Sequence, residues 1–203
     1  DPMLNDSLTE ENPLLSYNGK AFEGGLIAYF AKDVSRVIDF LTTLHTDDPH
    51  HLLTNRLNMD KLGAFGVSLG GVIVSEASRK DRRIKASLIM ESPIPKKIAQ
   101  TGLPIPTMVI TRPAEAMRTE RKKSGGWTEK DIEQHLSTMR ALFENTAESE
   151  FVQLPDMFHV DFTDVPLWIP FAQQLGLSGS TPIEETHDKL NSLTLKFFEE
   201  YLQ

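Results

Sequence analysis

The sequence contains no cysteine. Disulfide bridges, cysteine-ligated zinc and thiol nucleophiles are therefore excluded. Long apolar runs are also missing, since no stretch approaches the roughly 18 to 20 residues that a membrane-spanning helix needs. We therefore expect no stable membrane insertion of this chain. The glycosylation sequon Asn5-Asp6-Ser7 favours secretion over a cytoplasmic location.

An excess of positive charge is likewise absent. Lysine and arginine number 21 against 29 aspartates and glutamates, which gives a net charge of −8. This is the wrong sign for binding a phosphate backbone, so we expect no nucleic-acid partner. With 203 residues and 39% hydrophobic side chains, the composition predicts a single globular domain over residues 1–203.

Short apolar runs alternate with amphipathic segments along the chain. The runs at 61–67, 84–90, 106–111 and 151–154 are too short for helices and are predicted to be buried strands. Helices are predicted over 33–45 and 72–79, from Thr128, and from a capping box at Thr181 to Glu184 with proline at its first position. This alternation favours an α/β fold, with a mostly parallel sheet and helices on both faces.

One motif carries chemistry. Gly66-Val67-Ser68-Leu69-Gly70 matches G-x-S-x-G between a predicted strand and a predicted helix, the context of a nucleophile elbow. A reversal this sharp strains the backbone of the serine and crowds the residues on either side of it. We therefore expect that Gly66 and Gly70 are required, because a side chain at either position would clash. The motif predicts Ser68 as nucleophile and the Leu69 amide as an oxyanion donor.

A serine nucleophile needs a base and an orienting acid, which follow it in the order acid, histidine in this fold. Among six histidines, His159 alone lies just after a short strand downstream of Ser68, while His135 is expected to be exposed on its helix. Glu91 and Glu115 both follow predicted strands, and Asp156 precedes His159 by three residues. Periodicity does not choose among these acids.

Several segments together resemble the platelet-activating-factor acetylhydrolase family of α/β-hydrolases. They are DVSRVIDFL, LGAFGVSLGG, IKASLIMESPIP, FVQLP and HVDFTDVPLW, within residues 33 to 170. In that family the acid ends the strand after the elbow, and the histidine opens H-x-x-F-x-D. The resemblance implies Ser68, His159 and Glu91 as the triad. Glu91 stands where the family has aspartate, which leaves Glu115 as the alternative acid.

The resemblance implies a serine ester hydrolase for short-acyl or phospholipid-like esters, which needs no metal or cofactor. Phe158, Phe162 and Trp168 are candidate residues of a substrate pocket, with a core position as the equal alternative. The alternative functions are a lactone, amide or polyester hydrolase on the same triad, or a non-catalytic binding protein of this fold.

The position of the elbow implies one further expectation. In this fold the elbow usually follows the fifth of about eight strands, and a second oxyanion donor follows the third. Because only the elbow strand and three later strands are recognisable, we expect the chain to be the C-terminal portion of the fold. The partner would be the N-terminal part of the same precursor or a complementary chain.

Overall fold

Four parallel strands form the centre of the structure. The computed structural model describes residues 25–169 and 171–203, so the sequon at Asn5 lies outside the described residues. The strands are β1 (Leu62–Val67), β2 (Ile84–Met90), β3 (Thr107–Thr111) and β4 (Ser149–Gln153). They lie in the order β1-β2-β3-β4, and every neighbouring pair is parallel. All four predicted strands are confirmed within about two residues at each end.

Seven α-helices and one 3₁₀ turn connect or flank the strands within the described ranges. They are α1 (Leu26–Thr46), α2 (Leu69–Lys80), α3 (Lys96–Thr101), α4 (Ala114–Ser124), α5 (Glu129–Asn145), the 3₁₀ turn His159–Phe162, α6 (Val165–Trp168) and α7 (Ile183–Tyr201). No helix in this part of the chain is long and apolar enough to cross a membrane.

Alternating side chains of the two central strands build a core on each face of the sheet. Leu88 and Met108 point to one face and pack with residues of α7 such as Phe197. Ile89 and Val109 point to the other face and pack with residues of α2, α3 and α5. Both faces are therefore covered by helices, and the predicted α/β class is confirmed.

The predicted starts of two helices are corrected. Helix α1 begins at Leu26 rather than at residue 33, because Ile27 and Ala31 continue its buried face by about two turns. Helix α7 has Pro182 at its N-cap position without a side-chain hydrogen bond, so the predicted capping box from Thr181 is wrong. The extended backbone of Pro182 places Thr181 outside the helix.

Strand β1 is an edge strand in the described sheet, not a buried one. Its residues alternate between partly buried and exposed, and the ring of Phe65 is largely exposed. A strand that pairs on one side only keeps one row of amides and carbonyls unpaired. The sequence did not reveal that β1 lies at an edge, because an apolar run does not show on how many sides a strand is paired.

Candidate active site

The elbow begins where β1 ends. Ser68 follows Val67 directly, with φ 55° and ψ −125°, a strained conformation for a residue with a side chain. Its backbone amide donates a hydrogen bond to the carbonyl of Met90 on β2 (2.9 Å). Its carbonyl accepts from the amide of Gly71 (3.0 Å) and from the hydroxyl of Ser92 (2.7 Å). These bonds hold the strained residue at the start of α2.

The structure separates the roles of the two motif glycines. A Cβ added to Gly66 would overlap the carbonyl of Gly70 and lie 2.7 Å from the amide nitrogen of Gly71. A Cβ on Gly70 would meet nothing within 4 Å. The expectation that both glycines are sterically required is therefore wrong for Gly70, whose side-chain position is open.

Gly66→Ala is expected to destabilise the protein strongly, by about 2 to 3 kcal/mol, because the elbow backbone must shift to admit the methyl group. Gly70→Ala is the matched control and should change the free energy of unfolding by less than about 1 kcal/mol, since alanine also has the better helix propensity. Urea denaturation of both variants measures the difference. Equal midpoints for the two variants would contradict the steric account of the elbow.

Glu91 occupies the same position on β2 that Ser68 occupies on β1. Val67 pairs with Met90, and Met90 pairs with Ile110, so the residues that follow these strands share one edge of the sheet. Glu91 also has a positive φ of 49° and its side chain is 0% exposed. A carboxylate in such a place requires partners to compensate for its lost hydration.

Those partners come from β3 and from the segment after β4. Glu91 Oε1 accepts from the hydroxyl of Thr111 (2.6 Å) and from the amide of Arg112 (3.0 Å). Glu91 Oε2 accepts from Arg112 Nε (2.8 Å) and lies 3.5 Å from His159 Nδ1. The last distance is that of a loose hydrogen bond, which is common at catalytic sites before substrate binds. Glu91 and His159, which the resemblance paired, thus lie in contact.

The electrostatics of Glu91 favour its ionised form. Burial by itself would raise the pKa of Glu91, but hydrogen bonds from His135 and His159 and the positive charge of Arg112 outweigh it. The pKa of Glu91 is therefore held well below its usual range. An ionised acid behind a histidine is the state that orients the ring and stabilises an imidazolium.

His159 opens the 3₁₀ turn that follows β4, and its side chain remains 28% exposed. The buried carboxylate of Asp161 fixes this turn by accepting from the amide of Phe158 (2.7 Å), the hydroxyl of Ser178 (2.5 Å) and the amide of Gly179 (2.8 Å). The ring of Trp127 lies against that of His159, with 5.8 Å between centroids. The histidine is thus held on one side and accessible on another.

Glu115, the alternative acid, lies elsewhere. It is in the first turn of α4, its side chain is 78% exposed, and it faces Arg118 at 3.5 Å. A carboxylate in the first turn of a helix is favoured by the helix dipole and needs no catalytic reason. Asp156 has a positive φ of 60° and is exposed on the segment before His159. Of the three candidate acids, Glu91 is the one that contacts His159.

The three aromatic candidates for a substrate pocket lie in different environments. Phe162 is buried in the core with residues of β2 and α7. Phe158 is also buried, beside a cavity of about 240 Å³ whose lining includes Thr119 and Lys123. Trp168 is 82% exposed. The three rings therefore share no pocket, and the buried ones meet packing requirements at the base of the His159 turn.

The expectation for the environment of His135 is wrong. It was expected to be exposed, but its side chain is fully buried, with Nε2 3.3 Å from the hydroxyl of Thr111 and 3.6 Å from Glu91 Oε1. The ring of Trp127 covers it edge-on, with 4.9 Å between centroids. Sequence reasoning also missed Arg112, which is fully buried. Its position after a strand, beside the strand that carries Glu91, was the signal that could have found it.

The sequence matches no family model and no curated protein. Among solved structures, the fold is similar to that of a ferulic acid esterase from Streptomyces cinnamoneus, with a TM-score of 0.65 and 21% sequence identity. The alignment covers 87% of this chain and 48% of the esterase chain, so this chain spans about half of that protein's length.

The likeness establishes a common fold. It agrees with the expected α/β class and with the parallel sheet of the four strands. In the described residues, no group of three or more histidine, aspartate or glutamate side chains is arranged to hold a metal ion. The chemistry that the described side chains offer is that of a serine, a histidine and a buried carboxylate at one sheet edge.

Proposed function

We propose that this protein is a serine hydrolase that cleaves carboxylic esters through an acyl-enzyme intermediate. Ser68 Oγ attacks the ester carbonyl while His159 accepts its proton and then delivers that proton to the departing alcohol. Water next attacks the acyl carbonyl while His159 takes its proton. His159 then returns that proton to Ser68 Oγ as the bond to the acyl group breaks, which releases the acid and restores Ser68. Glu91 orients His159 and stabilises its protonated form throughout.

The observation that carries this proposal is the coincidence of a strained Ser68 with a Glu91–His159 pair at the same sheet edge. A positive φ at both Ser68 and Glu91 costs free energy, about 1 to 3 kcal/mol for each, and such strain clusters at active sites. As the first residue of α2, Leu69 has a backbone amide without a partner in the helix. This amide is the proposed first oxyanion donor.

The substrate class is proposed from two similarities. The resemblance to the platelet-activating-factor acetylhydrolase family supports short-acyl or phospholipid-like esters, with lipid degradation as the role. The solved structure of similar fold is a ferulic acid esterase, which supports including a bulky aromatic acyl group in any test. Both observations favour an ester over an amide.

Assays of the native, full-length protein on matched substrates test this proposal. We expect hydrolysis of p-nitrophenyl esters, fastest for acetate and slower as the acyl chain lengthens to octanoate, and an initial burst of nitrophenol equal to the enzyme concentration. Methyl ferulate and a phospholipid with a short sn-2 acyl chain compare the two substrate classes. Binding of these esters without turnover would instead support a binding protein of hydrolase fold.

We also propose that the outer edge of β1 pairs with strands from the N-terminal part of the same protein or from a complementary chain. Within residues 25–169 and 171–203, β1 has a neighbouring strand on one side only and the ring of Phe65 is exposed, which supports this pairing. Native mass spectrometry should detect residues 1–203 in a stable association with that partner. An active species with the mass of this chain alone would contradict it.

A further inference from the structure

A buried ionic link joins Arg112 to Glu120, next to the Glu91–His159 pair. The Arg112 guanidinium is 0% exposed, and while Nε donates to Glu91, Nη1 donates to Glu120 Oε2. Glu120 lies on α4 and is itself buried. Its second oxygen, Oε1, accepts the backbone amide of His159 at 3.2 Å. One carboxylate thus contacts both the arginine behind the acid and the backbone of the base.

This link changes the charge available to the reaction. Arg112 donates directly to Glu91, so its positive charge offsets the negative charge that would stabilise a protonated His159. Arg112, Glu91 and Glu120 together carry a net charge of −1, the same as one isolated carboxylate. Without the charge of Glu120, the buried cluster would be neutral before the histidine accepts a proton.

We propose that Glu120 is a positioning residue for the reaction, which fixes the backbone of His159 and supplies through Arg112 the negative charge that stabilises the imidazolium. This inference rests on the proposed serine hydrolase function. Glu120 touches neither the substrate nor the reacting atoms in this account. It acts through Arg112 and through the main chain of His159.

His135 and Lys123 are further titratable or charged groups close to this cluster. His135, on α5, faces Thr111 and Glu91 through Nε2, and its Nδ1 has no hydrogen-bond partner among the described residues. An N–H at Nε2 can donate to the Thr111 hydroxyl, whereas an N–H at Nδ1 would be buried without a partner among the described residues. Lys123, one turn along α4, faces the ring of Phe158 instead (5.3 Å).

The test replaces Glu120 by glutamine, which retains an acceptor for the His159 amide and removes the charge. We expect Glu120→Gln to lower kcat/KM for p-nitrophenyl acetate about tenfold, because the imidazolium loses stabilisation in the transition state. The acidic limb of the pH profile of kcat/KM should move to lower pH by about one unit, since the histidine becomes harder to protonate. Thermal melting verifies that the variant is folded.

Two further variants complete the test. Glu115→Gln, on the exposed side of the same helix, should leave both kcat/KM and the acidic limb unchanged. Arg112→Gln removes the opposite charge and should move the limb to higher pH. An unmoved limb in this variant would overturn the proposal even if Glu120→Gln does not fold, because the charge of Glu120 is proposed to act through Arg112.

The possible failures are distinguishable. A wild-type protein that hydrolyses esters, with folded variants whose acidic limbs do not move, would overturn the inference alone, whatever the loss of rate. A purely structural role for Glu120 predicts that result, because loosened packing lowers the rate without shifting the limb. A wild-type protein without hydrolytic activity would overturn the proposed function and this inference with it.

Discussion

Ser68→Ala should lower kcat for p-nitrophenyl acetate by at least about 10⁴-fold and abolish the burst, because no acyl-enzyme can form. Residual turnover would arise from polarisation of the ester by the elbow amides alone. Among the described residues, the strained backbone of Ser68 is held by hydrogen bonds from its amide and to its carbonyl, and its hydroxyl contributes none. Removing the hydroxyl should therefore leave the fold and its thermal stability unchanged.

Ser75→Ala is the matched control for this variant. Ser75 is a buried serine on α2, the same helix that the elbow opens, and its hydroxyl donates only to the carbonyl of Val72 (2.7 Å) within the described residues. Full activity is expected for this variant. If Ser68→Ala kept more than about one-hundredth of the wild-type rate, Ser68 would not be the nucleophile.

Glu91→Gln should reduce kcat by about 10⁴-fold, the scale expected when a triad acid loses its charge and no longer selects the histidine tautomer. Both oxygens of Glu91 face hydrogen-bond donors, which belong to Thr111, Arg112 and His159. The NH₂ group of a glutamine would place a donor against one of these donors. Some loss of stability should accompany this change because an N–H group cannot replace those acceptor contacts. Kinetics of the folded fraction, quantified by near-ultraviolet circular dichroism, separate the two effects.

Glu115→Gln is the companion variant that decides between the two acids. Its side chain faces solvent and Arg118, so we expect activity within twofold of wild type. The assignment of Glu91 would fail if the Glu115 variant lost activity while the Glu91 variant retained it. The pair of measurements therefore tests which strand delivers the acid, independently of the substrate used.

The places of Ser68 and Glu91 at the ends of two neighbouring strands were predictable because their signals are local. Gly66 and Ser68 belong to one short motif between a strand and a helix, and the structure has that order. Glu91 follows a continuous apolar run, and the carboxyl ends of parallel strands meet at one edge. The pairing of Glu91 with His159 was expected from the resemblance, and the geometry brings these side chains together.

The surroundings of Glu91 were not predictable because they depend on contacts between distant segments. Arg112 contacts a glutamate 21 residues earlier, and His135 contacts Thr111 24 residues earlier. In the sequence, His135 lies next to Gln134 in a helix whose apolar residues form a complete buried face without it. A polar side chain is usually buried where it finds a hydrogen-bonding partner, and the partners of His135 lie on other elements.

Helix α1 and strand β1 illustrate a second limit. The apolar residues before position 33 carry no capping signal, so the pattern did not reveal where α1 begins. The run at 61–67 is apolar enough for a central strand, yet it forms an edge in which alternate residues are exposed. The hydrophobic pattern describes one segment, whereas the burial of its residues depends on the elements that pack against it.

The most direct test of the central claim is covalent labelling of the native, full-length protein with a fluorophosphonate, followed by peptide mass spectrometry. The account predicts one adduct, on Ser68, which forms stoichiometrically and slows as the pH falls and His159 becomes protonated. Ser68→Ala should acquire no adduct. An unlabelled wild-type protein, or an adduct on any residue other than Ser68, would contradict the account.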